Sequence, residues 1–174
     1  MKETVGKGHP PRMSHLADPR RATIRLRPAE PNDREFFFTT RRAALGPYAE
    51  QLWGWDDASQ RSLADKEFDE LPVEIIEERG TPVGYLCVLH HVDHDFIDEV
   101  ALVPEAQGRG IGSSLVRDVM GAASKRGVPV RLSVLVNNPA RRLYERLGFR
   151  VSSIENARVK MEWRADRPGS GGVL

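Results

Sequence analysis

At 174 residues and 19.5 kDa, with 40% hydrophobic and 29% charged side chains, the chain has the size and composition of one globular domain, which excludes a collagen, a coiled coil and wholesale disorder. Its one cysteine, Cys87, excludes an internal disulfide and a multi-cysteine zinc site, and no run of about 18 apolar residues offers a membrane span, so the cytoplasm is the expected setting. The 26 basic and 25 acidic residues nearly cancel but are segregated: residues 1–55 hold 10 and 6, residues 56–106 hold 3 and 14, and residues 107–174 hold 13 and 5. That division suits an anion at the C-terminal third and a cation at the middle, and equally suits unrelated solvated faces.

Residues 1–21 lack periodicity and apolar content, as does the stretch from 165 to 174, and both are expected to be flexible tails around a domain spanning 22–164. Ala22 to Arg27 alternates like a strand, and Pro31-Asn32-Asp33 opens a helix to Leu45, which Gly46-Pro47 should break. Tyr48 to Trp55 is rich in aromatics, and Asp56-Asp57 can cap a second helix to about Glu70. Strands follow at Val73–Glu78, Val83–His90 and Phe96–Val103, separated by Gly80-Thr81-Pro82 and a polar tip around Asp93-His94. Gly110 to Arg126 sets Ile111, Leu115, Val119 and Ala123 on one helical face and stops at Gly127. After a strand at Val128–Val136, Asn138 and Pro139 start a short helix ended by Gly148, and strands near Phe149–Ser153 and Ala157–Trp163 close the pattern. The order βααβββαβαββ contains a crossover at 96–136, so an α/β fold with a mixed sheet and helices on both faces is predicted.

Between a strand and an amphipathic helix lies Gln107-Gly108-Arg109-Gly110-Ile111-Gly112-Ser113. Glycines let the backbone approach a ligand, and the unpaired N–H groups and dipole of a helix start favour a phosphate or pyrophosphate. A Walker loop is excluded because no lysine precedes Ser113, and a dinucleotide fingerprint because position 115 is leucine and Arg131 stands where an acid is wanted. The spacing resembles the Gln/Arg-x-x-Gly-x-Gly/Ala motif of the GCN5-related N-acetyltransferase (GNAT) superfamily, matched by Gln107, Gly110 and Gly112. Pro82-Val83-Gly84-Tyr85 resembles that family's third strand. Asn137, Tyr144 and Glu145-Arg146-Leu147-Gly148-Phe149 resemble its second signature, and Tyr48 to Asp56 is similar to a bacterial subgroup.

The resemblance implies a GNAT fold with strands 4 and 5 splayed and acetyl-CoA as acetyl donor. The N–H groups of Gln107, Gly108, Arg109, Gly110, Ile111, Gly112 and Ser113 would hold its pyrophosphate. The backbone of Ala101, Leu102 and Val103 would pair with pantetheine, and Asn137 would meet the arm or a nearby water. Arg109, Arg141, Arg142 and Arg146 are candidates for phosphate or ribose. The reaction implied is direct transfer to a primary amine of a small molecule or peptide, with no nucleic-acid or membrane partner and with a homodimer left open. The rival is an acyl-CoA-binding sensor without turnover.

Attack needs a neutral nitrogen, although a lysine-like amine has a pKa near 10.4, so a base is required. Asp98 and Glu99 lie in an otherwise apolar strand and point to opposite faces by alternation, so one should face the cleft, and Glu99 is preferred. The resemblance puts Tyr144 at the general-acid position. Cys87 is expected to be a buried structural thiol, the cluster His90, His91, His94 with Asp93 and Asp95 a solvated turn, and Tyr48, Trp53 and Trp55 candidate walls of the acceptor pocket.

Overall fold

The computed structural model describes residues 23–165. The two expected tails lie, Ala165 aside, outside the described residues. Seven strands form one sheet in the order β1-β2-β3-β4-β5-β7-β6: β1 is Ile24–Pro28, β2 Val73–Glu78, β3 Thr81–His90, β4 Asp95–Leu102, β5 Val130–Leu135, β6 Arg150–Glu155 and β7 Arg158–Trp163. Every neighbouring pair is antiparallel except β4 and β5, which are parallel and joined by the crossover helix α3, Ile111–Arg126. The mixed sheet expected from the element order is therefore present. The remaining helices are α1, Arg34–Trp53, α2, Asp57–Glu70, and α4, Ala140–Arg146.

Two cores lie on opposite faces. Ile76, Leu86, Ile97, Val130, Leu132, Val159 and Met161 pack beneath α3 and α4 with Leu115, Val116 and Tyr144. Ile75, Tyr85 and Ala101 turn to the other face and pack with Phe37 and Phe38 of α1 and Ala64 of α2. This is the period-2 alternation of strands that are covered on both sides.

Local signals hold at most boundaries. Asp56 accepts the Ser59 N–H at 2.8 Å and starts α2, the Asn138 side chain accepts the Ala140 N–H at 2.9 Å and starts α4, and Gly127 ends α3 with a φ of 71°. Gly46-Pro47 does not break the first helix: α1 runs through both residues to Trp53. A proline inside a helix removes one main-chain bond at a cost of about 3 kcal/mol. The turn beyond it is secured from outside, because Ala49 is buried, Trp55 packs over Gly46, and Asn137 donates to the Tyr48 carbonyl at 3.0 Å.

One glycine is dictated by the sheet. A Cβ on Gly84 would stand 2.2 Å from the Ala101 carbonyl oxygen, so β3 and β4 could not approach as they do with any side chain there.

Candidate active site

β4 and β5 pair over three positions only, Asp95 with Val130, Phe96 with Arg131 and Ile97 with Leu132, and then part. On its other edge β4 is bulged at the same point: Val88 pairs with Ile97 and Cys87 with Glu99, leaving Asp98 as the extra residue. A bulge bends a strand and increases its twist, and here it lies where the two strands separate. The gap is a cavity of about 340 Å3 whose walls include Arg41, Glu67, Asp98, Glu99, Ser133, Tyr144 and Arg158.

Alternation along β4 predicts that one of Asp98 and Glu99 faces the cleft. Both line it, because the bulge resets the alternation between them. Glu99 Oε2 is 3.6 Å from Arg41 Nε, and its Oε1 is buried without a hydrogen-bond partner among the described residues. Burial pushes the Glu99 carboxyl up to about 7; Arg41 and Tyr85 pull it down, and the charges of Asp98 and Glu67 push it further up. Asp98 is also raised, by burial first and then by Glu67, against Arg41 and Arg158. Arg41 reaches the cavity from α1 and donates to Glu67 of α2, which ties both helices to this wall.

Tyr144 lines the cavity from the α4 side, 8% exposed, with its ring edge-on to Phe149 at 5.8 Å. Burial and the charge of Glu99 push its phenol up to about 12. The Cys87 thiol is buried and likewise pushed up to about 12, so it is inert, as the sequence suggested.

In the turn that follows β4, Gly108 and Gly110 have φ of 69° and 84°, the left-handed region that glycine adopts without strain. The main-chain N–H groups from Gly108 to Ser113 have no acceptor among the described residues. Gly112 is helical, and a Cβ there would meet only Leu102 at 3.8 Å, so its role is an open approach and not a special conformation. Gln107 turns its amide onto the Leu102 carbonyl at 2.9 Å, tying the turn to the end of β4. Arg109 is held by Glu78 of β2 through two bonds of 2.6 and 3.1 Å, and Arg141 by Glu145 at 2.8 Å.

Val103 donates its N–H to the Val83 carbonyl at 2.9 Å. Antiparallel pairing alternates, so Ala101 opposite Tyr85 also turns its main-chain groups to β3, while Leu102 and Val100 turn theirs to the splay. Of the three residues expected along pantetheine, Leu102 thus faces the gap with its main chain, and Val100 joins it. Asn137 does not line the cavity: its amide donates to the Tyr48 carbonyl and to Gln51 Oε1 at 3.1 Å, and its Oδ1 is buried without a partner among the described residues.

Trp53 is exposed, Trp55 donates its ring N–H to Asp57 at 2.7 Å, and neither lines the cavity. His90 lies 2.7 Å from Asp95, the rings of His91 and His94 stack at 4.4 Å, and no three metal-ligating side chains converge among the described residues. Sequence reasoning missed Arg41, Glu67, Tyr85, Ser133 and Arg158. Each looks like an ordinary surface or core residue of its own element, and no local spacing links them.

A model of the acetyltransferase (GNAT) family matches residues 34–149. A mycothiol acetyltransferase of Thermomonospora curvata is 32% identical over 133 residues, which are 72% of this chain and 44% of that protein, so the chain spans under half of that relative's length. Among solved structures, a PaiA N-acetyltransferase of Thermoplasma acidophilum in complex with coenzyme A superposes with a TM-score of 0.68 at 16% identity, covering 82% of this chain and 99% of that one. The ribosomal-protein-S18-alanine N-acetyltransferase of Escherichia coli superposes with a TM-score of 0.60 at 18% identity, covering 87% and 99%. These two likenesses are of fold.

Proposed function

The chain belongs to the acetyltransferase (GNAT) family, and from that premise we propose that residues 22–164 form an acetyl-CoA-dependent N-acetyltransferase domain acting in the cytoplasm on a primary amine. Among the described residues no helix is long and apolar enough to cross a membrane. The observation that carries the reading is that β4 runs from a cavity holding a buried carboxylate and a buried phenol, which Val100 lines, to Leu102, where Gln107 ties on the turn whose main-chain donors are unpaired at the start of α3.

The residues fit the donor. The amides from Gly108 to Ser113 suit a diphosphate, and the main chain of Val100 and Leu102 can pair with an amide-bearing arm lying where β5 would otherwise be. The donor supplies an acyl carbon activated by a thiol of pKa about 8.5 as leaving group. The acids Glu67, Asp98 and Glu99 outnumber Arg41 and Arg158 around the cavity, which favours an acceptor entering as an ammonium ion. Glu99 takes one proton from the nitrogen, whose lone pair forms the new C–N bond as the C–S bond breaks and sulfur keeps its electron pair. Tyr144 supplies the proton that ends on sulfur and recovers one from the nitrogen through water.

The two groups are electrostatically linked. While Glu99 is ionised its charge holds Tyr144 high, so the phenol keeps its proton. Once Glu99 has taken a proton that cause vanishes and burial alone holds the phenol up, so it is a stronger acid than before as the thiolate forms.

Free-thiol release from acetyl-CoA with a panel of amines tests the reading. Amine-dependent release is expected, and Tyr144→Phe should lower turnover by roughly tenfold or more with donor affinity kept. Tight donor binding with release no faster than hydrolysis would identify a sensor instead.

A further inference from the structure

On the face of the sheet that carries Glu99, α1 and α2 cover β3 and β4. Val130, Leu132 and Val134 of β5 and Val159 and Met161 of β7 turn to the opposite face, into the core beneath α3 and α4. Alternation therefore puts Ser133 and Leu135 of β5, and Arg158 and Lys160 of β7, on the Glu99 face, with Leu135 beside Arg158 and Ser133 beside Lys160.

The basic residues of this wall are not equivalent. Lys160 is paired with Glu155 at 2.8 Å and Arg131 with Glu162 at 2.7 Å. Arg158 lines the cavity, and its side chain makes no hydrogen bond or ion pair among the described residues. Ser133 lines the same cavity with its hydroxyl oxygen buried and without a partner. A buried hydroxyl lacking a partner is costly, and the guanidinium of Arg158, diagonal to it across β5 and β7, offers donors in a fork that matches a carboxylate. The cavity thus has two unlike walls: Glu67, Asp98 and Glu99, three acids sharing the one guanidinium of Arg41, and opposite them Arg158 with Ser133.

We propose that the acceptor is a small amino acid-like molecule that carries a carboxylate as well as the reacting amine, with Arg158 and Ser133 receiving the carboxylate while the ammonium group faces Glu99. This rests on the acetyl-transfer reading and narrows it: a monoamine or a polyamine satisfies one wall and leaves the other unmet. Arg158 already acts across the gap, since its charge lowers the Asp98 carboxyl against the effect of burial. A carboxylate bound there would quench that pull and leave the acidic wall to the ammonium.

The test uses the full chain, acetyl-CoA and matched acceptors: α- and ω-amino acids of three to six carbons, their carboxamides, and diamines of the same lengths. Initial rates of thiol release give kcat/KM for each. Free acids should exceed their carboxamides by about tenfold or more, the magnitude of one charge-assisted contact. Arg158→Gln should bring that ratio towards one, and Arg158→Lys should keep part of it. Arg158 is exposed at the start of β7, and thermal melting confirms that each variant folds. Carboxamides or diamines reacting as well as the free acids would overturn the proposal and leave acetyl transfer standing, as would a ratio that survives Arg158→Gln. No amine-dependent release from any acceptor would remove both.

Discussion

At the turn before α3 the unsatisfied groups are main-chain amides of consecutive residues, Gly108 to Ser113, whereas around Glu99 the cavity is lined by side chains delivered by α1, α2, β4, β5, α4 and β7. The first end depends on backbone angles and should be nearly indifferent to side-chain chemistry. The second depends on which acids, bases and hydroxyls meet, and its backbone need only deliver them. Donor grip and chemistry are therefore expected to fail separately.

Glu99→Gln should have the largest effect. Removing a general base costs about 10²- to 10⁴-fold in kcat, and the amide, close in size to the acid, leaves the turn untouched, so donor affinity by calorimetry should stay as it was. With Glu99 present, activity requires the ionised form, so kcat should rise with pH through about 7 and level off above it; in the variant that limb should disappear. An unchanged limb would move the base to Asp98 or to a water.

Gly110→Val attacks the opposite end. With φ at 84°, a β-branched residue is strained by about 1–3 kcal/mol or forces the turn to reorganise. The donor should bind roughly tenfold more weakly, while kcat at saturating donor stays within about threefold. A collapse of kcat with normal affinity would mean that the two ends are mechanically coupled.

Arg41→Gln probes how the cavity tunes its base. Arg41 favours the charged form of Glu99, so its loss leaves burial, Asp98 and Glu67 opposed by Tyr85 alone and carries the Glu99 carboxyl above 7. The acid limb of the kcat profile should move to higher pH by about one unit, with activity recovered at alkaline pH, and Arg41→Lys should restore much of the original position. A loss of rate that no pH recovers would assign Arg41 to holding α1 and α2 together through Glu67.

The same division explains what the sequence discloses. Strands and capped helices were legible because Asp56, Asn138 and Gly127 act within a few residues of themselves, and so was the glycine turn, whose unpaired amides are contiguous. The passage of α1 through Gly46-Pro47 was not, since its supports, Trp55 and Asn137, act from outside that stretch. Nor was the bulge at Asp98, which is a property of pairing and invisible to alternation along one strand. The segregation of charge was legible too, but the pairing that offsets part of it was not. Much of the acidic middle is matched by arginines from the other thirds, Arg27 with Glu77, Arg34 with Asp69, Arg41 with Glu67 and Arg109 with Glu78, so little of it remains as a long-range field.

The last of those pairs gives the smallest and most discriminating effect. Arg109 is half exposed and held by Glu78 beside the amides of the turn. An exposed pair of this kind contributes about 0–1 kcal/mol, so Glu78→Gln should leave the melting temperature within a few degrees. It also removes a negative charge from the approach of a diphosphate and releases a guanidinium towards it. Donor affinity should therefore rise by roughly two- to threefold at low ionic strength, and the gain should fade as salt screens it. If affinity fell instead, the Arg109–Glu78 pair would be a support for the left-handed residues on either side of Arg109, and the turn would depend on side chains after all, as the cavity does.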